Sequence, residues 1–334
     1  MGVKRYGVLP LALMVLLAGS WLAQSQPVPL PGASNDAGEW TPAASQAHPS
    51  AKPWATHAVA SSAGPANAAQ GLQLKSTSTV KQGEVLKVTL QHATGMQLGT
   101  NDYAYATLAG RKARLFSQPD GQLLALLPVS VYEKPGVYPL SIYNAAGVPV
   151  KTTDITIQDG RYKTQNVSVS KGTAGLQPLP GELEAIQALK DTVSPVRYWE
   201  EPFVSPTVDC QNSPFGVKRY HNGVSTGDYH KGVDLRSPAG RPIKATAAGV
   251  VKIATMYRLH GGTVGLDHGQ GIGSVYIHMS RLAVKPGETV KKGQTIGYVG
   301  STGFASGPHL HWGLYASGLP VNPNQWVANV PKCN

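Results

Sequence analysis

The sequence predicts a mostly β protein of two domains, and three observations predict it. Apolar residues recur at every second position over short runs, Gly and Pro punctuate those runs, and the C-terminal part shows no long amphipathic helix. From about Leu72 to Ser170, Leu86, Val88 and Leu90 alternate with Lys87 and Thr89. The runs Tyr138-Pro139-Leu140-Ser141-Ile142-Tyr143 and Asp154-Ile155-Thr156-Ile157 repeat the pattern. Pro119-Asp120-Gly121 marks a turn, because proline presets one dihedral and glycine accepts a positive one. Short strands with such turns suggest a β-sandwich of immunoglobulin-like type over residues 71–170. No cluster of catalytic residue types falls within it, and its one histidine, His92, reads as structural.

Pro180-Gly181-Glu182-Leu183 opens a short helical pattern with Leu183, Ile186 and Leu189 on one side, and a proline-bearing connection follows. Residues 171–205 therefore read as an ordered lead-in, and 175–205 as a segment able to cover a groove. Residues 206–334 return to β texture in Gly249-Val250-Val251-Lys252-Ile253, Gly262-Thr263-Val264-Gly265-Leu266-Asp267, Ser274-Val275-Tyr276-Ile277-His278 and Thr295-Ile296-Gly297-Tyr298-Val299. Glycines fall between these runs, as tight turns and close strand crossings require. The expected architecture is a mostly antiparallel sheet around a groove.

At the N-terminus, Lys4 and Arg5 precede an apolar run from Val8 to about Ala23 that contains Pro10, and Ala23-Gln24-Ser25 fits a small-x-small cleavage site. Residues 1–25 thus read as a secretory signal. The rival, an uncleaved anchor, needs roughly 20 apolar residues to span. Residues 26–70 are rich in Pro, Ala, Ser, Gly and Asn and read as a flexible linker that cannot bury enough apolar surface to offset its ordering entropy. The chain of 334 residues carries a formal net charge of +11. That balance favours an anionic partner, but export and the lack of a concentrated Lys/Arg run argue against nucleic acid. Cys210 and Cys333, the two cysteines, bracket the C-terminal region. In an oxidising compartment they are able to bridge, for ~4 kcal/mol in the chain-entropy model; the alternative is two unpaired thiols.

Candidate metal ligands concentrate in two stretches, His230-Lys231-Gly232-Val233-Asp234 and Gly307-Pro308-His309-Leu310-His311-Trp312. Alternate residues of a strand share a face, so His309 and His311 look the same way, as would a strand-borne His230 and Asp234. Zinc accepts imidazole nitrogen and carboxylate oxygen, and a catalytic zinc takes three protein ligands and keeps one position open. These stretches supply the three ligands and one histidine to spare. A structural zinc would be closed by four protein ligands, commonly cysteines, and only two cysteines exist.

His230-x-Gly232-x-Asp234, Tyr276-x-His278-Met279, Val290-x-x-Gly293-x-x-Ile296-Gly297-x-x-Gly300-x-x-Gly303 and Gly307-Pro308-His309-Leu310-His311 together resemble the lysostaphin-type (LytM-like) zinc metallopeptidases over roughly residues 210–325. The resemblance implies zinc ligands at His230, Asp234 and His311. It implies non-ligand histidines at His278 and His309 that move the proton and steady the oxyanion, in an order the sequence leaves open. It further implies cleavage of peptide cross-links or stem peptides of bacterial peptidoglycan, a groove lined by small residues, and location in the periplasm or cell envelope, or outside the cell. Tyr276 is either a substrate-orienting or a packing residue. His221 and His260 have no motif support, and His268, between Asp267 and Gly269, reads as a turn residue. The alternative function is a non-hydrolytic zinc- and wall-binding protein that activates another wall hydrolase.

Overall fold

The structure, a computed structural model, describes residues 71–333, all within one compact unit, Ser61–Asn334. The expected signal segment 1–25 and linker 26–70 lie outside the described residues. Among the described residues no helix is long and apolar enough to cross a membrane.

The first strands are β1 (Leu72–Lys75), β2 (Thr79–Lys81), β3 (Val85–His92), β4 (Tyr105–Leu108), β5 (Arg111–Arg114), β6 (Phe116–Ser117), β7 (Leu123–Pro128), β8 (Gly136–Tyr143) and β9 (Pro149–Gln158). They form a sheet of order β1-β3-β7-β6 and another of order β2-β9-β8-β4-β5. The two share one core, in which Leu86, Val88 and Leu90 of β3 meet Leu140 and Ile142 of β8 and Ile155 and Ile157 of β9. The period-two pattern is thus met, with Lys87 and Thr89 less buried on the other face. Gly121 has φ +78° in the expected turn, where Gly121 N–H donates to Gln118 O.

Every residue of β7 is buried, and the reason lies in its run of leucines. Leu123, Ala125 and Leu127 point into the sandwich core, while Leu124 and Leu126 pack with Trp199, Phe203, Leu314 and Trp326 of the C-terminal region. An unbroken apolar run is what a strand covered on both faces requires.

The remaining elements are β10 (Thr164–Val167), α1 (Lys171–Ala174), α2 (Glu182–Asp191), β11 (Gln211–Ser213), β12 (Lys218–His221), β13 (Val224–Tyr229), β14 (Val233–Leu235), β15 (Pro242–Lys244), β16 (Gly249–Met256), β17 (Gly262–Gly269), β18 (Ile272–Leu282), β19 (Thr289–Val290), β20 (Thr295–Val299), β21 (Leu310–Ala316) and β22 (Leu319–Val321). A ten-stranded sheet runs β11-β14-β21-β18-β17-β16-β19, with β20 and β15 reached from β18 and β22 paired to β21; every pairing in it is antiparallel. A small sheet, β10-β12-β13, stands beside it, with β10 and β12 parallel. The mostly β fold class expected from the sequence is the observed one. Cys210 and Cys333 are bridged, and the backbone of Gln211 exchanges hydrogen bonds with Pro331 and Cys333, so the chain end is fastened to β11.

Two local readings change. On α2 the buried residues are Glu182, Ile186 and Leu189, while Leu183 faces solvent at 51% exposure. The apolar stripe is rotated because the Glu182 carboxylate has backbone partners to accept from, described below. His268 is a core residue of β17, not a turn residue: it is fully buried, Nδ1–H donates to Ala248 O, and Nε2 lies 2.7 Å from Ser274 Oγ. Ser274 Oγ is in turn 3.0 Å from the Tyr276 hydroxyl, which accepts from Thr246 N–H. Tyr276 is therefore the packing residue of the two alternatives, fully buried beneath the sheet.

Burial pushes the His268 imidazole down from 6.5 to about 4. Between those values the unfolded chain binds a proton that the folded chain refuses, so stability falls as pH drops from about 6.5 to about 4, by an order of ~3 kcal/mol from this residue. Thermal unfolding of the metal-free protein should show a lower midpoint at pH 4.5 than at pH 7, and His268→Asn should make the difference smaller.

Candidate active site

The site is assembled from β14, β21 and β18, adjacent strands of the large sheet. Asp234 stands directly across from His311 in the β14–β21 ladder, and His311 stands across from Ile277 in the β18–β21 ladder, which places His278 one residue further on. His230 follows β13 and is locked at both backbone groups, its N–H donating to Val217 O and its carbonyl accepting from Gly216 N–H. The glycine between His230 and Asp234 is sterically required. A Cβ on Gly232 would lie 2.4 Å from Trp312 O and 2.8 Å from His311 Nε2.

His230 Nε2, His311 Nδ1 and Asp234 Oδ1 converge, with separations of 2.9 Å (His230–His311), 3.0 Å (His230–Asp234) and 2.9 Å (His311–Asp234). Zinc bonds of about 2.0–2.1 Å at tetrahedral angles put donors roughly 3.3 Å apart, so one ion fits after an adjustment of a few tenths of an ångström. The donor chemistry fits as well. His230 Nδ1 is 2.9 Å from Pro214 O and 3.2 Å from Ser213 Oγ, and donation to that carbonyl leaves Nε2 with its lone pair toward the triangle. Burial would raise the Asp234 carboxyl, but the His230 and His311 rings hold it well below the usual carboxylate range. Burial lowers the His311 ring to about 4, against the opposing pull of Asp234. Asp234 and His311 therefore stand in the unprotonated form that a metal needs.

Beside the triangle, the His278 and His309 rings lie with centroids 4.8 Å apart, and His278 lies 6.4 Å from His311. Each is oriented by a backbone carbonyl. His278 Nδ1–H donates to Thr302 O and His309 Nδ1–H to Gly307 O, both at 2.8 Å, so Nε2 is the nitrogen each offers to the groove. Burial, followed by the neighbouring His309 and His311 rings, pushes His278 down to about 3. His278 also has φ +66°, a left-handed conformation that costs a non-glycine residue on the order of 1–3 kcal/mol and is held by the surrounding contacts. One of these is the His278 N–H donating to His260 O.

The five motif residues all line one cavity of about 390 Å³. Its other walls differ from expectation. They include Val167, Val169, Leu259 and Phe304, so the groove is not lined mainly by small residues. Among the described residues, the upstream part of the wall comes from Val167, Val169 and Thr173, not from 175–205; Ile186 and Leu189 of α2 pack instead with Ile253 and Val275 of the sheet. His221 and His260, which no motif supported, both reach the cavity, and the His221 ring lies 5.2 Å from that of Phe304.

Sequence reasoning also missed Arg219. Its Nη2 donates to Asp234 Oδ2 at 2.8 Å and to Ser213 Oγ at 3.1 Å, occupying the carboxylate oxygen that faces away from the histidines. The only sequence signal for it is generic, since a carboxylate ligand needs a partner for its second oxygen.

Residues 228–323 match the family model described as Peptidase family M23. Over 132 residues the chain is 38% identical to the DD-carboxypeptidase/endopeptidase Mpg of Neisseria meningitidis serogroup B, covering 40% of this chain and 30% of that protein. It is 38% identical over 129 residues to the peptidoglycan DD-endopeptidase ShyC of Vibrio cholerae serotype O1, covering 38% of this chain and 30% of that one. The chain thus spans about 30% of the length of these curated relatives. A crystal structure of a putative peptidase M23 from Pseudomonas aeruginosa superposes with a TM-score of 0.55 and 26% identity, covering 74% of this chain and 93% of that one. The C-terminal part of the chain carries a peptidase family M23 domain, in agreement with the resemblance its motifs carry. Arg219, Glu182 and both cysteines fall outside the matched stretch.

Replacing Arg219 by Gln should weaken zinc binding by about 10- to 100-fold, the range seen for partners of metal ligands. Competition with a chromophoric chelator measures it, and Arg219→Lys should lose less.

Proposed function

We propose that this chain is an exported zinc endopeptidase that cleaves peptide cross-links or stem peptides of bacterial peptidoglycan, with His230, Asp234 and His311 as zinc ligands and His278 and His309 as catalytic residues. The observation that carries the reading is the triangle of two imidazoles and one carboxylate set beside a paired His278 and His309 in a single groove. The named activities of Mpg and ShyC support the substrate class. The net charge of +11 suits an acidic polymer, and the bridged cysteines with the signal-like first residues suit export to the periplasm or envelope.

Zinc held there supplies Lewis-acid polarisation of the scissile carbonyl and brings a water's pKa toward neutrality. The chain's own residues handle the proton. The His309 ring is half-buried and turns Nε2 to the groove, while burial and the His309 and His311 rings disfavour a charge on His278. His309 Nε2 therefore takes the proton from the attacking water and returns it to the leaving amine. His278 stays uncharged, fixed by Thr302 O, and orients the reacting groups. Apolar walls at Val167, Val169 and Phe304 exclude water and hold an extended peptide.

His311→Ala should lose both bound zinc and hydrolysis, whereas His309→Ala should retain stoichiometric zinc and lose turnover by 100-fold or more, as removal of a general base does. Metal content by atomic absorption and peptide release on the same preparations decide it. Zinc retained in His311→Ala would contradict the ligand assignment.

A further inference from the structure

A carboxylate outside the matched domain organises one wall of the groove. Glu182, the first residue of α2, is fully buried. Its Oε2 accepts from Leu179 N–H at 2.8 Å, a contact within the helix start. The remaining donors come from the turn between β16 and β17: Arg258 N–H at 3.3 Å, Leu259 N–H at 3.0 Å, His260 N–H at 2.8 Å and His260 Nδ1–H at 2.7 Å. Burial would raise this carboxyl, but the Leu179 N–H and then the His260 donors bring it below the usual value, so it is an anion. Helix capping accounts for Leu179 alone. The other contacts hold a turn.

That turn carries both supports of His278. His260 O accepts the His278 N–H, and Leu259 O accepts Phe304 N–H at 2.7 Å, fixing the loop whose Thr302 O accepts the His278 ring proton. The turn and loop touch closely enough that a Cβ on Gly303 would lie 2.4 Å from Gly261 N and 2.5 Å from Leu259 O. The His260 ring spends Nδ1 on Glu182, which leaves Nε2 for the cavity the ring lines. The ring is thereby fixed with its Nε2 edge toward the cavity, and an imidazole that carries a proton on each nitrogen donates from that edge to an anion. The groove offers such a ligand little competition. Among the described residues its one lining carboxylate, Asp234, is already engaged by Arg219, His230 and His311.

We infer that His260 is a substrate-binding residue that receives a carboxylate of the peptide through Nε2, and that Glu182 is the positioning residue that fixes His260 and, through the 257–261 turn, His278. This deepens the endopeptidase reading and rests on it for the substrate class. Atoms at the scissile bond are not involved; the contact is a charge-assisted hydrogen bond that places the peptide.

The test uses the zinc-loaded full chain, a soluble stem-peptide fragment, and the same fragment with each of its carboxylates converted in turn to the amide. Kd by calorimetry and KM and kcat by product release are both measured. The wild type should bind one of the amides about tenfold more weakly than the parent, the size expected for one charge-assisted hydrogen bond. His260→Gln should bring that ratio close to one and lose more in KM than in kcat. Glu182→Gln should lose the same preference and also lower kcat, with zinc still stoichiometric. A wild type that binds every amide as tightly as the parent, or a His260→Gln variant that keeps the wild-type preference, would overturn the inference. A wild type that binds the fragments with the stated preference but cuts none would instead sink the endopeptidase reading and leave the His260 contact standing.

Discussion

Asp234 and His311 face each other across an antiparallel pair, and the rest of the site depends on that register. A slip of one residue would turn the ligands to the other face of the sheet and remove the triangle. The register is held from several sides. Val233, Leu235, Leu310 and Trp312 are buried on the same strands, and Gly232 admits the Trp312 carbonyl where any side chain would push it away. β11, paired to β14, brings Ser213 and Pro214 to the back of His230 and is itself fastened by the Cys210–Cys333 bridge. The His230–Asp234–His311 triangle is thus an outcome of strand pairing and close packing, with the side chains proposed as ligands already converging.

The proposed catalytic pair is built by a different principle. His278 sits in a left-handed backbone conformation, paid for by contacts that come from sequence far away. Its N–H goes to His260 O and its ring to Thr302 O, while the turn and loop carrying those acceptors are joined through Leu259 and Phe304. Glu182 closes this arrangement from α2. Residues upstream of the lead-in also contribute: Val167 and Val169 form part of the groove wall, and β7 gives its second apolar face to the core around Trp326.

Local pattern made much of this legible. Period-two runs identified β3, β8 and β9, while the leucine run of β7, buried on both faces, went unread. His309 and His311 were readable from strand alternation, which fixes which side chains share a face, whereas His230 lies in the connection between β13 and β14 and that connection, not a strand, sets it beside Asp234. What stayed hidden depends on long-range contact. Arg219 meets Asp234 only after the β12–β13 hairpin folds back, and Glu182 reaches His260 across 78 positions. Neither has a neighbour in sequence that would mark it. The Leu183 reading failed for the same reason, since apolar spacing alone cannot anticipate a buried carboxylate with backbone donors waiting for it. Tyr276 shares a motif with His278 yet serves the core, because its hydroxyl is taken up by Ser274 and Thr246 beneath the sheet.

The histidine–carboxylate triangle and the adjoining histidine pair are proposed to work together as a zinc-dependent peptide-bond hydrolase. The most direct measurement is digestion of purified peptidoglycan by the full chain carrying one equivalent of zinc, repeated after chelation and after zinc is restored, with products read by mass spectrometry. New amine and carboxyl ends should appear within cross-links or stem peptides, be lost on chelation and return with zinc. Zinc-loaded protein that binds the polymer and releases no peptide would contradict this proposal and favour a non-hydrolytic activator.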